Sequence, residues 1–241
     1  FALIDQIEQG KADLQTTIKQ AKSKILDLAI HGKLVPQAPN DEPAIELLKR
    51  INLDFTPCDN GHSKKLPNAW CHCRISDVSL SLLGKTLDRS KNTGNLKKYL
   101  CAVNVKWGIF DLATIKEMRI EDTELERYSV KDGDLMICEG GDVGRAAIWT
   151  YNSEMYYQNA LHRIRFKDNI SAHYFLYSLM YLKSIGIIDD VCKGVTIKHL
   201  TQNAMDSLIF NLPPLAEQFR IVQKIEELFS VLDNIQKALE V

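Results

Sequence analysis

The chain has 241 residues, 45% of them apolar and 25% charged, and carries a formal net charge of −1. This composition suits a folded chain with a sizeable core and excludes low-complexity and collagen-like classes, and no apolar run reaches the length needed to span a bilayer. The near-neutral total does not by itself direct the chain to nucleic acid, and the six cysteines are too few and scattered for a disulfide framework, so a reducing cytoplasm is the simpler expectation.

The chain starts at Phe rather than Met with no signal peptide before its first helix, which predicts a segment of something longer. Residues Ile4, Ile7, Leu14, Ile18, Ala21, Ile25 and Leu28 follow a 3,4 spacing, a heptad-like seam that calls for a partner helix. Gly32 is the natural C-cap. "NDEPAIELLKRI" reads as a short capped helix with Asp41 near its start, Pro43 in its first turn and Ile45, Leu48 and Ile51 on one face. Asn52 to Lys65 is polar and turn-rich, hence a linker.

From "LPNAW" onward short strands are predicted at "YLCAVNV", "DLMICE", "RAAIW" and "LHRIRF". One helix, "SAHYFLYSLMYLKSIG", interrupts them with Ser171 as its cap. After "NLPPLAEQ", where Pro213 and Pro214 mark a helix start, a second seam runs through Ile221, Ile225, Leu228, Leu232, Ile235 and Leu239. The expected division is a long helix at 1–33, a connector with a short helix at 34–66, a strand-rich domain at 67–213 and a long helix at 214–241. The fold class is α+β.

The two ends resemble each other. "FALIDQIEQG" laid on "FSVLDNIQKA" at an offset of 228 matches Phe1 with Phe229, Asp5 with Asp233 and Ile7 with Ile235, and keeps both seams in one heptad frame. The chain therefore reads as one period of a two-period protein, starting mid-helix.

Charge is segregated along the chain. Lys85 to Lys106 holds six bases against Asp88, Asp111 to Asp142 ten acids against four bases, and Arg145 to Lys167 four bases against Glu154. Basic stretches at intervals fit a local anionic site. Cys58 and His62 followed by Cys71, His72 and Cys73 invite a zinc reading, but the spacing is not that of zinc knuckles, and a strand would turn His72 away from both thiols. "EGGDVGR" lacks the Lys-Ser/Thr of a phosphate loop and reads as a turn, from which Arg145 would reach a phosphate backbone. No GxSxG, HExxH, Asn-Pro-Pro-aromatic tetrapeptide or dinucleotide fingerprint occurs.

What remains is polar and basic chemistry on predicted loops. Lys85, Arg89, Lys91, Lys97 and Lys98 form one group. Gln158, Asn159, His162 and Arg163 of "YYQNALHR" form another, and Thr196, Lys198 and His199 of "KGVTIKHLT" a third. Lys and Arg neutralise phosphates, while Gln, Asn and Arg make bidentate contacts to base edges. Such clusters suit duplex DNA, with Gln158, Asn159 and Arg163 expected at the bases.

Several of these stretches resemble the specificity subunit of type I restriction-modification systems. "NLPPLAEQFRIVQKIEELFSVLD" and "SKILDLAIHGKLVPQAPNDEPAIELLKRI" are similar to its long helices, "LPNAW" to the entry of a target recognition domain, and "GDLMICEGGDVGRAAIW", "YYQNALHRIRF" and "KGVTIKHLT" to internal landmarks. The resemblance implies two tandem halves related by a pseudo-twofold, with antiparallel helices spacing the half-sites and this chain supplying one half. It also implies a non-catalytic role: reading a half-site of double-stranded DNA in the major groove while methyltransferase subunits modify adenine and a motor/nuclease subunit cuts. No cofactor, metal or membrane partner is implied, and a homodimer through the terminal helices would restore the twofold. The competing readings are a helical scaffold that does not read DNA and a small zinc-dependent enzyme.

Overall fold

In the computed structural model, which describes residues 2–58, 66–88, 90–192 and 199–239, the first apolar seam is helix α1 (Ala2–Ile30). It stops at Gly32, whose φ is +66°. The Lys33 N–H returns to the Leu28 carbonyl at 2.8 Å, the ending that a left-handed glycine permits. Helix α2 (Ala44–Ile51) follows and buries Ala44, Leu47 and Leu48. Asp41 does not cap it as expected, since its carboxylate accepts two hydrogen bonds from Arg220 instead.

The middle of the chain is built from short elements: strand β1 (Cys71–Arg74), helical turn α3 (Ile75–Val78), strands β2 (Ser79–Leu83), β3 (Asn95–Leu100), β4 (Val105–Lys106), β5 (Ile109–Phe110) and β6 (Lys116–Ile120), and turn α4 (Leu125–Tyr128). Strands β7 (Leu135–Cys138), β8 (Ala146–Ile148), β9 (Tyr156–Tyr157) and β10 (Leu161–Phe166) come next. Helices α5 (Ala172–Ser184), α6 (Ile187–Val191) and α7 (Gln202–Asp206) lead to strand β11 (Ile209–Leu212) and helix α8 (Leu215–Leu239). Helices at both ends and a strand-rich middle make the fold α+β.

Strands β2, β10, β7 and β8 form, in that order, an antiparallel sheet. A smaller sheet has the order β6-β3-β9, with β3 and β9 parallel. The first and last strands pair antiparallel, Cys71 opposite Leu212. Cys71 and Cys73 turn to the core while His72 and Arg74 face the other way, as strand alternation requires. Ser171 caps α5 by accepting the Tyr174 N–H at 3.3 Å.

The start of α8 ties the helices to the strands. Glu217, 1% exposed, accepts the Trp70 indole N–H at 3.0 Å and the Gln37 amide at 2.6 Å. Burial raises the Glu217 pKa, opposed by these two donors. Gln218, fully buried, accepts the Ser171 N–H and donates to the Pro213 carbonyl, both at 3.0 Å. Each of these buried polar atoms has a partner, which is the condition for keeping them inside.

Helices α1 and α8 run antiparallel. The Asn211 amide, just before α8, reaches the Ile30 carbonyl at the end of α1, whereas Phe229 and Asp233, far along α8, both meet Lys22. The buried positions depart from the expected α1 seam: Ile18, Leu26, Ala29 and Ile30 are inside, Ile25 and Leu28 only partly so. The cause is that the last turns of α1 pack on α5 as well as on α8, which widens the apolar stripe beyond a two-helix seam. Toward its start α1 stands clear, leaving Ile7 52% and Leu14 47% exposed.

Candidate nucleic-acid interface

The β3/β6 ladder sets Lys98 opposite Glu117 and Leu96 opposite Arg119. Alternation buries Tyr99, Met118 and Ile120 in a small cluster with Tyr156, so Leu96, Lys98 and Arg119 face solvent. Lys116, on the edge strand, is exposed too. Among the described residues Lys98 and Lys116 make no ion pair, and the Arg119 guanidinium donates to the Gly94 carbonyl at 2.9 Å. Lys116 and Arg119 escape a reading of the sequence because they sit in a stretch dominated by acids. The alternation of "KEMRI" around Met118 and Ile120 is the signal that could have found Arg119, whereas Lys116, in phase with the buried pair, is exposed by its place at the start of the edge strand.

Beside this pair of strands lies the loop from Gly84 to Gly94, and a cleft of about 560 Å³ between them is lined by Leu87, Asn92, Leu96, Met118 and Arg119 among others. Lys91 is exposed on the loop, 3.5 Å from the Asp88 carboxylate. Arg89 lies outside the described residues.

Lys85 is not the exposed phosphate-binding cation that the sequence suggests. Its side chain is 7% exposed and its ammonium sits between the Glu121 and Glu124 carboxylates, 2.8 Å from Glu121. Those carboxylates raise its pKa although burial opposes them. Lys97 is likewise engaged, 2.9 Å from Glu154 and above the Tyr156 ring.

The "YYQNALHR" group divides. Gln158 and Asn159 are half-exposed and their side chains make no hydrogen bond to described residues. Their backbones lock onto Lys85: the Lys85 N–H donates to the Tyr157 carbonyl at 3.2 Å and the Asn159 N–H to the Lys85 carbonyl at 3.0 Å. The close approach requires glycine next door, because a Cβ on Gly84 would lie 2.3 Å from the Gln158 carbonyl carbon.

His162 and Arg163 belong to β10, not to a loop, and are 0% and 4% exposed. With β2 on one side and β7 on the other, both edges of β10 are paired, and its polar side chains turn inward. The Arg163 guanidinium donates to the Ser129 and Arg127 carbonyls at 2.6 and 3.1 Å and lies over the Tyr157 ring. His162 Nε2 meets the Leu200 carbonyl at 2.8 Å, and burial lowers its pKa. Both side chains are therefore turned into the fold and partnered by backbone carbonyls, not displayed on a loop as expected.

Arg145 is half-buried and donates to the Ala102 carbonyl at 2.8 Å, tying the glycine turn down rather than tipping it outward. His199 is exposed beside that turn: a Cβ on Gly140 would be 3.7 Å from its Nδ1. Thr196 and Lys198 lie outside the described residues. Among the described residues no group of three or more His, Cys, Asp or Glu is placed to hold a metal, and His62 lies outside them. Burial pushes the Cys71 thiol up to about 11. Among the described residues no helix is long and apolar enough to cross a membrane.

Known proteins resemble this chain in sequence and in fold. The sequence model of the family described as type I restriction modification DNA specificity domain matches residues 70–241. The chain is 24% identical to the type I restriction enzyme EcoEI specificity subunit of Escherichia coli, over 100% of this chain and 45% of that protein. It is 27% identical to the EcoAI specificity subunit of the same organism, over 92% of this chain and 41% of that protein. The chain thus spans less than half the length of these relatives. The crystal structure of the HsdS subunit from Thermoanaerobacter tengcongensis superimposes with a TM-score of 0.60 at 16% identity, over 98% of this chain and 49% of that one. A chain solved in a study of complex assembly and conformational transition of the type I R-M system gives 0.59 at 17%, over 99% and 53%. At these identities the structural likeness establishes the fold.

Proposed function

This chain belongs to the type I restriction-modification DNA specificity family, and on that premise we propose that it reads one half-site of a bipartite duplex sequence and carries out no chemistry itself. The observation that carries the reading is the exposure of Lys98 and Arg119 on one face of the β3/β6 ladder, with Lys116 exposed at the start of the edge strand and Lys91 on the adjoining loop. These cations suit phosphates, which hold a protein in register without informing on sequence. Gln158 and Asn159, on the segment bonded to that loop, have amides suited to adenine edges. His199 is assigned to the rim of the same surface, and Arg89, Thr196 and Lys198 remain assigned to it by sequence alone.

Around this reading surface, methyltransferase subunits and a motor/nuclease subunit assemble on the helices, in the cytoplasm where the DNA is. The uncovered apolar positions Ile7, Leu14, Val231 and Ile235, between 45% and 54% exposed, suit docking of a second half of the same kind, whether a second copy or the remainder of a longer chain.

Titration of fluorescent duplex DNA with the chain and its methyltransferase subunits, over a series of salt concentrations, tests the assignment. Replacing Lys98, Lys116 and Arg119 with Ala lowers the salt slope by about 0.9 for each phosphate no longer neutralised and leaves the preferred sequence unchanged. Asn159→Ala weakens the preferred sequence by about 1–3 kcal/mol and relaxes discrimination at one position. An unchanged salt slope in the triple variant would remove the β3/β6 strands from the interface.

A further inference from the structure

Lys85 is the point where three separate segments meet. Its backbone forms a parallel bridge with Gln158 and exchanges hydrogen bonds with Tyr157 and Asn159. Its side chain crosses to Glu121 and Glu124, just beyond β6. Glu121 then returns to the loop, its second oxygen accepting the Thr93 N–H at 2.9 Å. The loop from Thr86 to Thr93 is thereby closed at both ends by one ionic cluster, and that cluster also fixes its distance from Gln158 and Asn159. Inside the loop Asp88 accepts the Ser90 N–H at 3.0 Å, and the Asn92 amide donates to the Thr86 carbonyl at 3.3 Å.

A pair of carboxylates around a nearly buried ammonium is not explained by stability alone, since desolvating such a group offsets most of its Coulombic gain. It does fix geometry, because removing the cation leaves two carboxylates facing each other. Sequence reading needs that fixity, because amides must meet base edges within a few tenths of an ångström, whereas phosphate attraction tolerates movement.

We propose that Lys85 is a positioning residue for base recognition: it touches no DNA, and its bridge to Glu121 and Glu124 holds the described residues of the adjoining loop, Thr86 to Asp88 and Ser90 to Thr93, and the Gln158–Asn159 edge as one reading surface. This rests on the DNA-reading function proposed above.

The test uses the chain with its methyltransferase subunits and two duplexes, the motif selected by the wild type and a scrambled version. Lys85→Met loses about tenfold or more of the ratio between the two affinities. Its affinity for the scrambled duplex and the salt slope stay at wild-type values, and Lys85→Arg restores most of the ratio. Should Lys85→Met lose its cooperative thermal transition, the Glu121→Gln, Glu124→Gln pair decides, since it removes the ionic bridge while keeping every side chain's volume. A ratio within twofold of wild type in whichever folded variant is read overturns the positioning role. A wild type that selects no motif overturns the DNA-reading function and this inference with it; a wild type that selects, beside a variant that discriminates equally, overturns this inference alone.

Discussion

At the scale of single residues, polarity misled more than it informed. His162 and Arg163 have the chemistry of base readers, yet the carbonyls they serve, Leu200, Arg127 and Ser129, lie 34 to 38 residues away. Nothing local in "LHRIRF" marks those partners, so burial of both side chains could not be read from the sequence. His162 gives a measurable consequence. Its lowered pKa keeps it neutral in the fold, whereas the unfolded chain takes up a proton near the ordinary value of 6.5. Stability from this group is therefore present above pH 6.5 and lost as the pH falls below it. The loss is roughly 1.4 kcal/mol for each pH unit below that value, until the folded imidazole also takes up its proton. Denaturant melts from pH 7.5 to 5 will show wild type weakening more than His162→Gln, whose amide can still donate to the Leu200 carbonyl. Parallel curves for the two proteins would mean that His162 charges freely in the fold.

At the scale of elements, the long helices and the main strands were legible because periodicity reports them directly. The 3,4 seams marked both terminal helices, Gly32 the end of the first and Ser171 the start of α5. The strands at β7, β8 and β10 matched their apolar runs. The β3/β6 pairing was less legible, since its exposed face mixes both signs of charge and its register depends on a close backbone approach. That approach is at Gly94, where a Cβ would stand 1.9 Å from the Ile120 carbonyl oxygen. Gly94→Ala must therefore shift β3 against the β6 backbone, and is expected to destabilise the chain by about 1–3 kcal/mol. A thermal midpoint equal to wild type would show that the strands separate there at no cost.

At the scale of the whole molecule, the second of the two matched words lies at a helix contact. Phe229 and Asp233, the residues matched with Phe1 and Asp5, are the ones that engage Lys22 across the antiparallel helix pair. The same helices leave Ile7 and Ile235, another matched pair, exposed. The proposal that the strand-rich middle of the chain reads one half-site is a claim about the whole molecule. Selection from a random duplex library, at physiological salt and with the methyltransferase subunits present, tests that claim most directly. Recovery of a short fixed motif, alone or as an inverted repeat across a constant gap, is the predicted result. Recovery of no motif from a sample in which the complex is shown to be assembled would contradict it.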